Sequence, residues 1–298
     1  MKGRSIVRDT SGLAGVIEAL LLVAMVSIVI SMVQLVYIPE IMEQREAEHM
    51  DDVENQFSFL KSTIDIQTAL GKNMPQSSPI TLGSRELPYF VTARAFGQLD
   101  IVDADRTDSV FRVNPPLSGT GQFSGEFNVP LTSFIYEAYN SYFVHQIYAL
   151  EGGAVLMMQP DGETGKVEPS MVIKNESTYV EISYNLPIFK SISGKNATAG
   201  IKNCFVRTNR SHNETYTSTL SDAGLHYIRF SSDYVDAWNQ TLCGLLEEEI
   251  KNGYVTVKKE SVPEPTYVEI KKSGSKNIRL NLEVVYLGAQ IGPGVVTS

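Results

Sequence analysis

The sequence of 298 residues has few of the residue types from which catalytic and metal sites are built. It contains four histidines, two cysteines and one tryptophan, and the histidines stand singly, without Cys, Asp or Glu at metal-ligand spacing. No nucleophile stands in a recognisable motif with a base, and there is no glycine-rich phosphate loop. These absences predict a protein that is not an enzyme and that binds no cofactor or metal.

Clusters of lysine and arginine are also lacking, apart from Lys2, Arg4 and Arg8 near the N-terminus. The formal net charge is −9. Because a phosphate backbone is bound by clustered cations, we expect no nucleic-acid partner. The apolar share of 43% is ordinary for a folded protein, so disorder is not expected.

One long apolar run is present, at residues 13–38, and its only charged residue is Glu18. A helix of this length spans about 39 Å, which is enough to cross a bilayer. The competing interpretation is a secretory signal peptide, but its apolar core is usually about 7 to 15 residues and ends at a small-residue cleavage pattern that is missing here. We therefore predict a permanent single-pass transmembrane helix at 13–38 in contact with membrane lipid.

The flanking charges predict the orientation of this helix. Basic residues precede it and Glu40, Glu43 and Glu46 follow it, and positive charge stays on the cytoplasmic side. Residues 1–12 are thus expected in the cytoplasm and the remainder outside the cell. In an oxidising compartment Cys204 and Cys243 would form a disulfide, and two buried free thiols are the alternative.

Five Asn-X-Ser/Thr sequons agree with an exported glycoprotein. They are confined to residues 175–241, which predicts one glycan-bearing face. The acceptor residues are Asn175, Asn196, Asn209, Asn213 and Asn239.

An amphipathic helix is predicted to continue outward over residues 39–71, after an interruption at Pro39. Its apolar residues recur at spacings of three and four and form one stripe: Met50, Val53, Phe57, Leu60 and Ile64. The stripe either packs on the chain's own outer domain or forms an assembly interface with a coiled-coil partner.

Beyond the helix the apolar period changes to two, which predicts a β-rich, sandwich-like extracellular domain at 72–298 and an α+β fold class. We expect one hairpin between 142–150 and 154–159, and another around Ser273, Gly274 and Ser275. One helix is expected at 232–251, capped by Ser232 or Asp233 and ended by Gly253.

These features together resemble archaeal type IV pilin-like surface proteins, a largely uncharacterised group. The resemblance rests on the basic leader, the start "GLAGVIEALLLVAMV", the segments "HMDDVENQFSFLKSTID" and "SSPITLG", and "YALEGGAVLMMQ". It implies cleavage after Gly12 by a prepilin peptidase, which leaves Leu13 as the new N-terminus; an uncleaved anchor is the alternative. It also implies like or related subunits as partners.

Three readings of Glu18 remain open: a carboxylate that reaches the lipid headgroups, a partner for the freed amine of a neighbouring subunit, or a protonated acid. The predicted function is a non-enzymatic subunit or accessory component of a pilus or envelope assembly. The alternative is an anchored module that binds glycans, an S-layer or other cell-envelope components and does not polymerise.

Overall fold

The computed structural model of the protein describes residues 10–84, 95–114, 118–119, 126–192, 196–260 and 266–292, and the side chains from residue 14 onward. Most of the predicted leader, at residues 1–9, lies outside the described residues. The predicted fold class is confirmed: one long apolar N-terminal helix leads into a β-rich domain, in an α+β arrangement.

The N-terminal helix is continuous from Thr10 to Leu70 and has three segments. They are α1 (Thr10–Met32), a π-helical turn (Val33–Tyr37) and α2 (Ile38–Leu70). Pro39 lies in the first turn of α2 and cannot donate a hydrogen bond to the carbonyl four residues earlier, and the wider π turn lies at that point. Gly71, with a φ of 65°, ends α2 in the left-handed conformation that favours glycine. In the described part of the chain this is one helix long and apolar enough to cross a membrane.

The first ten strands are short. They are β1 (Gln76–Thr81), β2 (Phe96–Val102), β3 (Val110–Asn114), β4 (Ser118–Gly119), β5 (Phe127–Pro130), β6 (Ser133–Tyr139), β7 (Gln146–Glu151), β8 (Ala154–Gln159), β9 (Gly162–Val167) and β10 (Met171–Asn175).

The later part contains the three longest strands and two helices. Its elements are β11 (Tyr179–Ser191), β12 (Ala197–Gly200), β13 (Asn203–Leu220), β14 (Tyr227–Ser231), α3 (Val235–Leu245), α4 (Glu247–Lys251), β15 (Val255–Glu260), β16 (Tyr267–Lys272) and β17 (Asn277–Gly292).

The strands form three sheets. Sheet A has the order β1-β13-β17-β11-β10, with β4 beside β13; sheet B is β12-β2-β6-β7-β8-β9, and sheet C is β15-β16-β14-β3-β5. Every pairing is antiparallel except that of the long central strands β11 and β17, which are parallel.

Two hydrophobic cores fill the spaces between these layers. The α3 core joins sheet C, sheet A and α3, and its largest buried side chains include Phe111, Tyr184, Phe230 and Trp238. The α2 core joins α2, sheet B and sheet A, and it includes Phe57, Phe134, Tyr136, Tyr148 and Phe189.

Sheet A contributes opposite faces to the two cores. On β17, even-numbered residues from Ile278 to Val284 lie in the α3 core, whereas odd-numbered residues from Val285 to Ile291 lie in the α2 core. Successive side chains of a strand point to opposite faces. The α2 core therefore covers one face at one end of β17, and the α3 core covers the other face at the other end.

Two details of the domain differ from the sequence predictions. The hairpin at Gly152 and Gly153 is confirmed as β7 and β8, but the hairpin expected around Gly274 is wrong. Strand β16 pairs with β14 and β15 in sheet C, and β17 belongs to sheet A, so the turn at Gly274 carries the chain between sheets.

The predicted helix at 232–251 is divided at Leu246 into α3 and α4. Its N-terminus is capped from outside the predicted segment. The carboxylate of Glu163 on β9 accepts hydrogen bonds from the backbone N–H groups of Asp236 (2.9 Å) and Ala237 (3.2 Å).

Candidate functional site

The apolar surface of α1 is exposed on every side. Fractional exposures of its large side chains include 64% at Leu21, 48% at Val26 and 68% at Ile28. Glu18 is exposed within this segment. Gly12 and Leu13, the residues at the predicted cleavage point, belong to the backbone of α1.

The amphipathic stripe of α2 is buried within the chain itself. Met50, Val53, Phe57, Leu60 and Ile64 are each at most 1% exposed, and all five belong to the α2 core. Of the two alternatives, packing on the chain's own domain is therefore the one observed. The predicted assembly role of these five side chains is wrong, because the chain's own sheets cover them.

Glu46 binds a loop of sheet B close to the predicted membrane exit. It is fully buried, and its carboxylate accepts hydrogen bonds from the backbone N–H groups of Ser141 (3.1 Å), Tyr142 (2.7 Å) and Phe143 (2.7 Å). Three backbone donors stabilise a buried carboxylate without a cation. Glu46 therefore fixes the β6–β7 loop to the first turns of α2.

His49 and Tyr136 form a second buried contact between α2 and sheet B. Tyr136 Oη donates its single proton to the carbonyl of Leu82 (2.8 Å), so His49 Nε2 donates to Tyr136 Oη (3.0 Å). Burial lowers the pKa of His49, although the charge of Asp52, a hydrogen bond to the Leu82 backbone and the charge of Glu46 partly offset this effect. The imidazole is therefore neutral near pH 7.

Two glutamines attach α2 to the sheet edges. Gln56 Oε1 accepts from the Thr81 backbone N–H (2.8 Å), and Gln56 Nε2 donates to Thr81 Oγ1 (3.1 Å). Gln67 Nε2 donates to the carbonyls of Met74 (2.8 Å) and Thr208 (2.9 Å), while its Oε1 accepts from Thr208 Oγ1 (2.8 Å). These amides provide hydrogen-bond partners for backbone groups of β1, of β13 and of the segment before β1.

Lys61, Asp65 and Ser170 bring a serine and a lysine together, which raises the question of a Ser-Lys hydrolase. Lys61 Nζ pairs with Asp65 and lies 3.4 Å from Ser170 Oγ, and Ser170 Oγ donates to Asp65 Oδ1 (2.7 Å). The Ser170 hydroxyl gives its proton to Asp65 and accepts from Lys61, so the amine is not placed to take the serine proton as a general base would. The contacts join α2 to the loop before β10 and do not form a catalytic dyad.

A polar cavity of about 740 Å³ lies beside His49, between α2 and the end of β1. Its lining includes Asp52, Ser84 and Asn203. Ser84 Oγ is buried and has no hydrogen-bond partner in the part of the chain that the structure describes. Among the described residues no hydrogen bond joins Ser84 to His49, so this part of the cavity holds no assembled nucleophile and base.

Glu151 occupies the centre of a polar network beside the α3 core. It accepts from Ser232 Oγ (2.6 Å) and Trp238 Nε1 (2.8 Å), both through Oε1. Burial raises its pKa to about 7, and these hydrogen bonds oppose the shift. Tyr184 Oη donates to the Gly152 carbonyl (2.7 Å), and a Cβ at Gly152 would lie 2.8 Å from that hydroxyl. The motif "LEGGAV" therefore positions a buried acid under α3.

The predicted disulfide is not formed, because Cys204 and Cys243 are both free thiols. Cys204 lies in the α2 core on β13, whereas Cys243 lies on α3, which packs on the other core. Burial raises the pKa of Cys204 to about 12, so its thiolate is scarce at neutral pH. The disulfide prediction was wrong because the positions of two cysteines in the sequence do not show which core each of them will join.

The five sequon asparagines do not share one face. Asn209 and Asn213 lie opposite Gly288 and Val285 of β17, which point to opposite faces of sheet A. Asn175 and Asn213 are exposed, whereas Asn196, Asn209 and Asn239 are partly buried. The five acceptors therefore do not form the single glycan-bearing face that the sequence predicted.

The remaining histidines have local structural contacts. His145 pairs with Glu137 (3.1 Å), His226 Nδ1 accepts backbone N–H groups of its own turn, and His212 stacks on Tyr286. Within the described ranges no three His, Cys, Asp or Glu side chains are arranged to hold a metal ion.

Sequence reasoning missed the polar anchors of α2, although a signal for them exists. Glu46 and Gln67 continue the spacing of the apolar stripe at its two ends, four residues before Met50 and three after Ile64. A polar residue in phase with a buried stripe must find partners, because an unpaired buried polar group is costly.

The chain matches the family of unknown function DUF7289 over residues 11–264, and it belongs to that family. The match includes both the apolar helix and most of the β-rich domain, so the two parts occur together in the family. No curated protein and no solved structure matches the chain.

Proposed function

We propose that the protein is a non-enzymatic, membrane-anchored surface protein of type IV pilin-like architecture, acting as a subunit or accessory component of a pilus or envelope assembly. One observation carries this proposal. In a single helix, the large apolar side chains described in α1 are all exposed, whereas one face of α2 is buried in the chain's own domain.

The exposed half requires a cover that the described chain does not supply. Contiguous apolar surface of this extent is uncommon on proteins in water, and lipid or the helices of neighbouring subunits would cover it. The helix continues without a break from this half into α2, which supports a permanent anchor over a removable signal peptide. The charge asymmetry around the span supports an external β-rich domain.

Processing and assembly are tested separately. Intact-mass analysis of the protein from native membranes is expected to give a chain that starts at Leu13; a chain that still contains the leader would contradict pilin-like processing. For assembly, Val26→Cys is introduced together with Cys204→Ala and Cys243→Ala. Oxidation in native membranes is expected to give disulfide-linked dimers.

The matched control for this experiment is Phe59→Cys in the same background, because Phe59 is 56% exposed on α2 but lies outside the predicted span. If α1 packs against α1, Val26→Cys cross-links and Phe59→Cys does not. Monomers at both positions would favour the second candidate, an anchored module that does not polymerise. That candidate is supported by the α2 stripe, which is already covered within the chain.

A further inference from the structure

The outer face of sheet C carries a row of polar side chains across all five of its strands. Directly paired residues form this row, in the order Lys258, Glu269, Arg229, Arg112 and Asn128. The other face of the same strands packs in the α3 core. The row therefore lies on the side of sheet C opposite the α3 core. Within it Lys258 and Asn128 are exposed, Arg112 and Arg229 are half-buried, and Glu269 is buried.

Arg229 is held firmly at the centre of the row. Its guanidinium lies 4.4 Å from the ring centroid of Tyr227 and 3.9 Å from that of Tyr267, and its Nε donates to Glu269 Oε1 (2.8 Å). Lys271 Nζ lies 2.6 Å from Glu269 Oε2. Both oxygens of Glu269 are thus already bound by cations on this face.

Arg112 has no such partner. It lies directly opposite Arg229 on the neighbouring strand, and like charges in that position repel each other. Its Nε is buried, and among the described residues no hydrogen bond or ion pair satisfies it. The guanidinium of Arg112 therefore lies beside a second cation and pairs with no carboxylate among the described residues, which leaves it available to an acidic ligand.

We propose that Arg112, together with Arg229, binds a carboxylate of an acidic polysaccharide that lies across the outer face of sheet C. A guanidinium fork matches a planar carboxylate bidentately. Lys258 lies three strands from Arg112, roughly 14 Å away, with Glu269 between them. A polymer that alternates acidic and neutral sugars fits this alternation of charge.

The same features disfavour other polyanions. Nucleic acid carries closely spaced phosphates, which would meet the carboxylate of Glu269 and a chain with a net charge of −9. The exposed amide of Asn128 and the hydroxyl of Thr256 on this face suit sugar hydroxyl groups. The inference holds whether or not the protein assembles into filaments.

The first test measures binding by titration calorimetry on the full chain in detergent micelles. The probe is a hyaluronan octasaccharide, which alternates glucuronate and N-acetylglucosamine. We expect saturable binding that Arg112→Gln weakens at least tenfold. The matched control is Arg279→Gln, because Arg279 stacks on Tyr179 at 3.9 Å but belongs to sheet A, and it is expected to bind like the parent.

Several outcomes would overturn the proposal. They are absence of hyaluronan binding, equal weakening by Arg279→Gln, equally tight binding of the neutral chito-octaose, and full competition by acetate at the same carboxylate concentration. The last result would show a site for simple carboxylates only.

A second measurement distinguishes binding from a structural role. Without ligand, Arg112→Gln is expected to leave the Tm unchanged or to raise it, since the substitution removes a charge that opposes Arg229. The octasaccharide is expected to raise the Tm of the parent protein and not that of the variant. A lower Tm for unliganded Arg112→Gln would show that the arginine stabilises the sheet, which contradicts the proposal.

Discussion

The segments α1 and α2 belong to one helix, yet they meet their surroundings in different ways. In α1 apolar side chains cover every side, so no direction is preferred and a uniform apolar medium satisfies the whole surface. In α2 they are confined to a stripe that continues into Glu46 and Gln67, and only one orientation against the sheets buries it. The arrangement of apolar residues, more than their number, decides whether a helix has one neighbour or many.

The largest effect of a substitution on stability is expected in the apolar stripe of α2. Phe57→Ala removes a fully buried ring that contacts Tyr136 and Tyr148, and it is expected to lower the free energy of unfolding by about 3 to 5 kcal/mol. Phe59→Ala, two residues further on the exposed side, is expected to change it by less than about 0.5 kcal/mol. Urea denaturation measures both. Equal losses would show that the two faces of α2 do not differ.

The second largest effect is expected beside the α3 core, where the buried acid Glu151 makes the stability of the protein depend on pH. The pKa of Glu151 in the folded protein is about 7, above its ordinary value of 4.5, so the folded state binds the proton more tightly than the unfolded state. The contribution of this residue to stability is full below pH 4.5 and is lost as the pH rises to about 7, a loss of roughly 3 kcal/mol.

The difference in free energy of unfolding between the parent and Glu151→Gln, followed from pH 4.5 to 8, measures this contribution. A difference that does not change with pH would contradict the prediction. Working with this difference removes every pH-dependent contribution that the two proteins share.

A smaller effect is expected at the end of α2 nearest the predicted membrane. Glu46→Gln replaces a carboxylate that accepts three backbone hydrogen bonds with an amide that has a single acceptor oxygen. We expect a loss of about 2 kcal/mol and faster hydrogen exchange at residues 141–143. Glu43→Gln, on the exposed side of the same helix, is the control and is expected to change neither quantity.

The smallest effect of a substitution on the stability of the β-rich domain is expected in α1. Leu21→Ala removes an exposed side chain that no part of the described domain contacts, so the unfolding of the β-rich domain is expected to shift by less than about 0.5 kcal/mol. A larger shift in detergent would mean that α1 folds back onto the domain, which would remove the contrast between the two segments.

The helix was predictable because its signals are local. The apolar run, the 3-and-4 spacing of the stripe and Gly71 at the end of α2 each follow from neighbouring residues. The order of the strands in the sheets was not predictable. Apolar and polar residues alternate in β16 and β17 as they would in a hairpin, but these strands pair with strands distant in sequence. The free thiols of Cys204 and Cys243 and the position of Arg112 opposite Arg229 depend on those long-range pairings, so they could not be predicted from the sequence.

The bulge in β13 has a consequence for how this chain tolerates changes in length. The register shifts between Arg210 and His212, so Val206 and Tyr216, both even-numbered, reach cores on opposite faces of sheet A. Deleting Ser211 would restore a regular strand, and the side chains of one half of β13 would then point to the wrong face of sheet A. In evolution, relatives should therefore keep the spacing between these two halves even where the residues themselves are replaced.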